Sequence, residues 1–246
     1  MYSNIILHVP HSSTDFSIAG EAFINRFGRR WVEQAGSLID WYTDELFVPH
    51  FHNDNIVPVV FDTCRTICDV ERLSHDPLEA QGLGITVSRC LMTYMGTYNP
   101  RLSPDSDSRV MQKYLDHQYR LASLLVQRHG SLLLDCHSFS NGKTILQPDV
   151  SKNRGIDICL GWNDDFTKPD DEVLYLVEDY FKDKGYAVGL NTPYSNAKTV
   201  DTPANYSALM IEVNKKIYMN ERNLEKSEDF VRVKNDLQGL YKDMLL

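Results

Sequence analysis

The sequence has no cluster of basic residues: its 25 lysines and arginines are spread along 246 residues, and its net charge is −9. A large nucleic-acid-binding surface needs a basic face, so a nucleic-acid partner is not expected. No apolar run approaches the roughly 20 residues that span a bilayer, and no N-terminal signal peptide is visible. We therefore expect a cytoplasmic protein that binds neither nucleic acid nor a membrane.

A second close pair of cysteines, which a structural zinc motif would need, is also missing. Cys64 and Cys68 are four residues apart, and the other three of the five cysteines stand alone. An odd number of cysteines, several in apolar runs, is typical of buried free thiols in a reducing compartment. The sequence also lacks internal repeats, low-complexity segments and linkers rich in Pro, Gly and Ser. These absences predict one domain over residues 1–246.

Alternating strand and helix patterns cover most of the chain. Apolar runs predict strands at 4–9, 56–61, 66–70, 131–138, 157–161, 186–190 and 208–213. Helices are predicted at 21–34, 40–47, 108–128 and 171–184, and from Lys226 onward. The third of these is indicated by apolar residues at near-helical spacing: Leu115, Tyr119, Ala122 and Val126. Residues 73–104 are rich in turn residues and receive no assignment. The order predicts an α/β fold, a three-layer α/β/α sandwich with a mixed, largely parallel central sheet.

Two of the predicted strands end in the same way. The segments ILHVPHSS and LLLDCHS each deliver a histidine at the end of a buried strand, His11 and His137, and a serine follows each. Sheets of this type place their sites beyond the carboxyl ends of the strands. If the two strands are neighbours, both imidazoles would point into one crevice. Two histidines and a carboxylate would make a catalytic zinc site with an open position for water.

The carboxylate is expected from the segment LIDWYTDELF. Asp40 could begin the helix there, and Asp44 lies one turn later on the same face. We favour Asp40, because a helix N-terminus tends to end near the crevice, although Asp40 could be only an N-cap. The histidines of HFH (50–52) are weaker candidates, because their polar surroundings indicate a solvated loop. His117 has no partner of the right type near it in the sequence.

Glu212 interrupts the apolar strand ALMIEV. Burying a carboxylate costs several kcal/mol unless it is paired or neutralised, so we expect a raised pKa that suits a general acid or base. The alternative is a half-exposed strand with Glu212 pointing to water. Arg65 and Arg72 flank another apolar stretch, and their guanidinium groups could bind substrate carboxylates. The alternative there is a structural ion pair between Asp69 and Arg72.

Taken together, these segments resemble the N-formylglutamate amidohydrolase family. The matching stretches are HVPHSS, DWYTDELF, CRTICDVERL, LLLDCHS, ICLG, NTPY and IEVNKKIYM, in the family's order and up to about residue 221. The resemblance implies a fold similar to the zinc carboxypeptidases, with one zinc ion held by His11, Asp40 and His137. It implies Glu212 as the general base. It also implies that Arg65, Arg72 and Asn191 bind the substrate. Manganese, cobalt or iron could replace zinc in such a site.

The implied reaction is hydrolysis of the formamide bond of N-formyl-L-glutamate, or of a similar N-acyl amino acid, to formate and glutamate. In the family this would be the end of a histidine breakdown route. Two departures lie near the substrate pocket: the family usually has Asn at the position of Glu71, and it has glycines where SNAKT follows Tyr194. They leave open a zinc-dependent peptidase or amidase that acts on another acidic amide or peptide. A serine hydrolase is disfavoured, because Ser12 and Ser138 lie in no G-x-S-x-G elbow.

Overall fold

The computed structural model describes residues 1–21, 25, 36–73, 84–85, 104–142, 150–153, 155–197, 200 and 202–245. The main sheet contains β1 (Ile5–Val9), β2 (Ile56–Val60), β3 (Ser131–Phe139), β4 (Ile158–Gly161), β5 (Val188–Leu190) and β6 (Tyr206–Asn214). A small antiparallel pair follows, formed by β7 (Met219–Asn220) and β8 (Glu225–Lys226). The helices are α1 (Thr43–Phe47), α2 (Pro104–Gln127), α3 (Asp171–Asp183) and α4 (Phe230–Met244). Short 3-10 helices span Ser17–Ala19, Ser151–Asn153 and Lys215–Ile217.

The strand order in the main sheet is β2-β1-β3-β6-β4-β5. The strands β2, β1, β3 and β6 run parallel to one another, whereas β4 and β5 run antiparallel to them. The predicted mixed, largely parallel sheet is therefore confirmed. Because β1, β3 and β6 are adjacent and parallel, their carboxyl ends lie along one edge, and His11 and His137 lie at that edge.

Helices cover both faces of the sheet. Successive strand side chains point to opposite faces, so Leu134 and Leu133 lie in different cores. Leu134 packs in a core that side chains of α1, α3 and α4 complete. Leu133 packs in a core with Leu121 and Leu125 of α2. The two cores confirm the three-layer arrangement.

Helix α2 packs against the sheet through a face other than the one that carries Leu115, Tyr119 and Val126. The helix itself is confirmed, but Leu115, Tyr119 and Val126 are 53%, 77% and 44% exposed. The buried positions include Leu121 and Leu125 instead. Both sets recur with helical spacing, so periodicity alone cannot choose between them. Contact with the sheet decides which set is buried.

The predicted strand at 66–70 is wrong. This segment forms turns, in which the amides of Ile67 and Cys68 both donate to the carbonyl of Cys64. Its apolar side chains pack in a core of their own beside the sheet, which explains the apolar pattern without a strand. The predicted helix at 21–34, apart from residues 21 and 25, lies outside the described residues, as does most of 73–104.

Four of the five cysteines lie in the described part of the chain, and all four are buried free thiols, as predicted. Their burial raises the pKa of Cys68 and Cys159, so these thiols are not poised as nucleophiles. Among the described helices, none combines the length and the apolar character needed to cross a membrane.

Candidate metal centre and active site

Asp40 lies between the two predicted histidines. Its Oδ2 is 3.0 Å from Nδ1 of His137 and 3.6 Å from Nδ1 of His11. The two imidazole centroids are 5.1 Å apart, and all three side chains are buried. Nδ1 of His11 makes no hydrogen bond to any described residue. The structure thus brings together the three residues that the sequence singled out.

Backbone contacts hold Asp40 in this position. Its amide donates to the carbonyl of His11 at 3.0 Å, which ties the segment before α1 to the end of β1. The N-cap position of α1 is occupied by Tyr42, with no side-chain capping bond, so Asp40 is not a helix cap. Asp44 is exposed. His52 is also exposed, as expected for a solvated loop. Of the two aspartates considered, only Asp40 reaches the histidines.

The opposite edges of both imidazoles face other carboxylates. Nε2 of His11 is 2.9 Å from Asp69 and 3.3 Å from Glu71. Nε2 of His137 is 2.9 Å from Glu71 and 3.1 Å from Asp135. Metal-ligating histidines usually donate their second ring N–H to such a group, which fixes the tautomer. Protonation at Nε2 would leave both Nδ1 lone pairs directed toward Asp40.

The donor atoms present fit a divalent metal ion. Two imidazoles and one carboxylate are the ligand types of catalytic zinc sites. The buried Nδ1 atom of His11 has no hydrogen-bond partner among the described residues, so it is available to bind a metal ion. Closer groups of three donor atoms lie on the other edge of the rings, where those of His11, Glu71 and His137 are all within 4.8 Å of one another. His8, Glu71 and Asp135 form a further group by the same measure. Glu71, where the family usually has Asn, belongs to both.

The charges around the histidines favour bound cations. Burial acts to lower the pKa of His137, but the charges of Glu71 and Asp135 outweigh it and raise the pKa well above its usual value. The pKa of His11 is raised too, because Asp69 and Glu71 overcome the effects of burial and of Arg65. Burial acts to raise the pKa of Asp40, but its interactions with the two nearby histidines outweigh burial and leave the pKa lowered. A pocket in which histidines hold protons this firmly has an excess of negative charge.

Glu212 lies beside His137, because the two residues are paired in the register of β6 and β3. Its side chain is buried, and its Oε2 makes no hydrogen bond to any described residue. Burial raises the pKa of Glu212 to about 8. The half-exposed alternative therefore does not hold. A buried carboxyl group that titrates near neutral pH is suited to accept and return a proton.

Arg65 and Arg72 line the same cavity, of about 310 Å³, together with Asp40, His137 and Glu212. Both guanidinium groups are also paired with Asp69. Nη2 of Arg65 is 3.1 Å from Oδ2 of Asp69, and Nε of Arg72 is 3.6 Å from the same oxygen. The structural ion pair considered as the alternative is thus present, and the two arginines still face the cavity.

Asn191 is the predicted site residue that does not join this group. It follows β5, which runs antiparallel to β6, and it does not line the cavity. Its Oδ1 accepts a hydrogen bond from the amide of Trp162 at 2.9 Å, in a left-handed conformation with φ 48°. In the structure this side chain organises the turn after β5. The neighbouring NTPY residue Tyr194 does line the cavity.

Sequence reasoning missed a buried chain of polar groups behind His137. Asp135 lies 2.8 Å from Nδ1 of His8, and Nε2 of His8 lies 2.9 Å from Nε2 of His117. A signal was present, because His8 and Asp135 are polar residues inside apolar strands. Lys215, another cavity residue that was missed, is three residues after Glu212. Only the fold shows that these groups meet.

Comparisons with known proteins identify the family and the fold. A sequence model of the N-formylglutamate amidohydrolase family matches residues 3–219. The chain is similar to the crystal structure of N-formylglutamate amidohydrolase from Ralstonia eutropha JMP134, with a TM-score of 0.74, 21% identity, and coverage of 99% of this chain and 93% of that one. It is also similar to the crystal structure of a gene product from Agrobacterium tumefaciens, with a TM-score of 0.56, 13% identity, and coverage of 98% and 91%. At these identities the structural likeness shows the fold. No curated protein gives a significant sequence match.

Proposed function

This chain belongs to the N-formylglutamate amidohydrolase family, and from that premise we propose that it is a metal-dependent hydrolase of N-formyl-L-glutamate or a similar N-acyl amino acid. The products would be formate and glutamate. The observation that carries the proposal is the meeting of His11 and His137 at one oxygen of Asp40, inside a cavity that Glu212 also lines. A cytoplasmic location and a place at the end of a histidine breakdown route are parts of the same proposal.

His11, Asp40 and His137 are the proposed metal ligands. The carboxylates of Asp69, Glu71 and Asp135 accept from the Nε2 edges of the two histidines and hold their rings in place. A zinc ion bound there would polarise the formyl carbonyl and lower the pKa of water toward 7. The ligands come from three separate segments, so the folded chain pre-arranges them.

Glu212 is the proposed proton carrier. Its Oε2 takes a proton from the attacking water and returns it to the nitrogen of the leaving amino acid, so that the formamide C–N bond breaks without leaving an amide anion. The pKa of about 8 that burial produces in the protein without metal lies close to the working pH. A nearby cation would lower this value, because it stabilises the carboxylate form.

The substrate carboxylates are proposed to bind at the cationic wall of the cavity, to which Arg65 and Arg72 contribute. Guanidinium groups recognise carboxylates in a bidentate manner. Asp69 holds both arginines in position from behind. The assignment of Asn191 to substrate binding stays a prediction from the resemblance, and its contact with Trp162 supports an indirect role through the turn.

Formate release tests the proposal directly. The purified protein is stripped of metal with a chelator, reloaded with one equivalent of zinc, and assayed with N-formyl-L-glutamate, N-acetyl-L-glutamate and a glutamyl dipeptide. Free glutamate is measured for all three compounds, with formate measured in addition for the first. We expect only N-formyl-L-glutamate to be cleaved, and only by the reloaded protein. Cleavage of the dipeptide without formate release would favour the peptidase alternative, and activity independent of metal would refute the metal-dependent mechanism.

A further inference from the structure

The cationic wall of the cavity contains a third positive group, Lys215, which differs from the two arginines. Arg65 and Arg72 share the negative charge of Asp69. Lys215 instead donates from Nζ to the carbonyls of Ile39, at 2.7 Å, and Ser37, at 3.5 Å. Within the described part of the chain, its ammonium group makes no ion pair.

The burial of Lys215 makes this arrangement costly. The side chain is only 3% exposed, and burial lowers the pKa of its ammonium group. A buried charge costs several kcal/mol unless a counter-charge and hydrogen bonds compensate for it. An ammonium group has three N–H donors, and the described residues supply two carbonyl acceptors. Asp40, Glu221 and Glu212 partly offset the effect of burial on this pKa, but none of them forms an ion pair with Nζ. An anion in the cavity would accept from the remaining donor and lie directly against the buried charge.

The position of Lys215 places that anion in the proposed active site. Lys215 begins the 3-10 helix that directly follows β6, the strand that carries Glu212. Both residues line the cavity that Asp40 and His137 also line. A small molecule whose amide reaches Glu212 therefore lies in the same cavity as the ammonium group.

We propose that Lys215 binds one of the two carboxylates of the substrate and so makes the enzyme selective for acidic N-acyl amino acids. This inference rests on the proposed function and names the residue that recognises the charge of its substrate. Lys215 is the preferred candidate over the arginines because, among the described residues, its ammonium group makes no direct ion pair, whereas both arginines pair with Asp69.

The test compares two lysine variants on three substrates. Lys215→Met keeps the apolar stem and removes the charge, and Lys216→Met is the matched control, because Lys216 pairs with Asp157 at 2.9 Å and does not line the cavity. The substrates are N-formyl-L-glutamate, N-formyl-L-glutamine and the α-amide of N-formyl-L-glutamate. The two amides each lack one carboxylate.

For N-formyl-L-glutamate, we expect Lys215→Met to raise KM about 10- to 100-fold, as for the loss of a charged hydrogen bond, with a smaller change in kcat. On one of the two amides the variant should match the wild type, and that amide identifies the carboxylate bound by Lys215. Lys215→Arg should recover part of the affinity, and Lys216→Met should behave as the wild type. An equal loss on all three substrates would overturn the proposal, because it would show that Lys215 only supports the segment before Asp40.

Two further measurements separate failure of this inference from failure of the proposed function. If the wild type releases formate equally well from all three substrates, the hydrolase stands and carboxylate recognition by Lys215 is refuted. If no formate appears, calorimetric binding of L-glutamate and L-glutamine to wild type and Lys215→Met still tests the inference. Weaker binding of glutamate to Lys215→Met than to the wild type would support the inference. Equal affinity of the two proteins for glutamate would refute it. If Lys215→Met folds poorly, Lys215→Arg takes its place, and its KM values and binding affinities are compared with those of the wild type.

Discussion

At the scale of single residues, each imidazole of the site has carboxylates on both of its nitrogen edges. Asp40 faces Nδ1 of both His11 and His137, and Asp69 and Glu71 face their Nε2 atoms. Which edge carries the proton decides which edge can bind a metal ion. More carboxylates face the Nε2 edges than the Nδ1 edges. Protonation at Nε2 with coordination of a metal ion through Nδ1 therefore gives the largest number of satisfied hydrogen bonds.

Replacing Glu212 by Gln is expected to lower kcat at least 100-fold, because general acid–base catalysis contributes about 10²–10⁴-fold. The bound metal should remain, since Glu212 is not a proposed ligand. The checks are formate release and metal content of the purified variant. A variant with wild-type turnover would remove Glu212 from the mechanism, and a variant that loses its metal would show that Glu212 has a ligand role instead.

Without metal, the free energy of unfolding of the wild type should depend on pH through Glu212, and the variant Glu212→Gln should lack this dependence. The pKa of Glu212 is about 8 in the folded chain, against an ordinary value of 4.5. The folded state therefore keeps a proton that the unfolded state loses between these values, so the wild type loses stability as pH rises from about 4.5 to about 8. Glu212→Gln has no such proton.

The stability difference between Glu212→Gln and the wild type should therefore grow in favour of the variant over that range, by at most about 1.4 kcal/mol per pH unit, and level off above it. Urea unfolding at a series of pH values measures the trend, and any constant offset from the amide group does not affect it. A flat difference would mean that the carboxyl group is not shifted upward.

At the scale of elements, the site depends on the parallel pairing of β1, β3 and β6. Register places His8 beside Asp135, and His137 beside Glu212. Helix α2 then adds His117 from above the same face. A change of register by one residue would turn these side chains to the opposite face of the sheet, so the strand pairing itself determines which groups can react together.

His117→Leu is expected to lower the free energy of unfolding by about 1–3 kcal/mol, because it leaves Nε2 of buried His8 without its partner. His129→Leu is the matched control, since His129 is exposed near the end of the same helix. Urea unfolding of metal-free protein compares the two. Equal stability of both variants would show that the contact between His8 and His117 contributes nothing.

At the scale of the whole molecule, the proposed centre joins parts of the chain that are distant in sequence. His11, Asp40 and His137 come from the end of β1, the segment before α1 and β3, and Glu71 and Glu212 lie in two further segments. A ligand that bridges these parts binds the folded chain and not the unfolded one. Its binding energy therefore adds to the stability of the entire fold.

Zinc at about 100 times its Kd is expected to stabilise the protein by about 2.7 kcal/mol, which corresponds to a rise in Tm of about 5–10 °C for a chain of this size. Calorimetry with and without a chelator measures the shift. Magnesium, which prefers oxygen ligands, should have little effect. His137→Ala should show no rise with zinc, and an equal rise in that variant would place the metal elsewhere.

Much of the architecture was predictable from local patterns. Continuous apolar runs identified the strands of the parallel core, and alternation with helices identified the three layers. The strand predicted at 66–70 failed because apolar turns that pack beside a sheet have the same composition as a short strand. The spacing of Leu115, Tyr119 and Val126 correctly indicated helix α2, but these residues lie on its exposed side, because two faces of the helix share helical spacing and only the packing partner selects one of them.

The sequence by itself singled out the chemical groups of the proposed site, since His11, His137 and Glu212 each stand out as polar residues at or within buried strands. It could not decide which carboxylates meet them. The choice of Asp40 over Asp44, the pairing of both arginines with Asp69, and the positions of His8, His117 and Lys215 depend on contacts between distant segments. The physical reason is that local sequence controls propensity and burial, whereas distances between side chains are decided by strand order, register and helix packing.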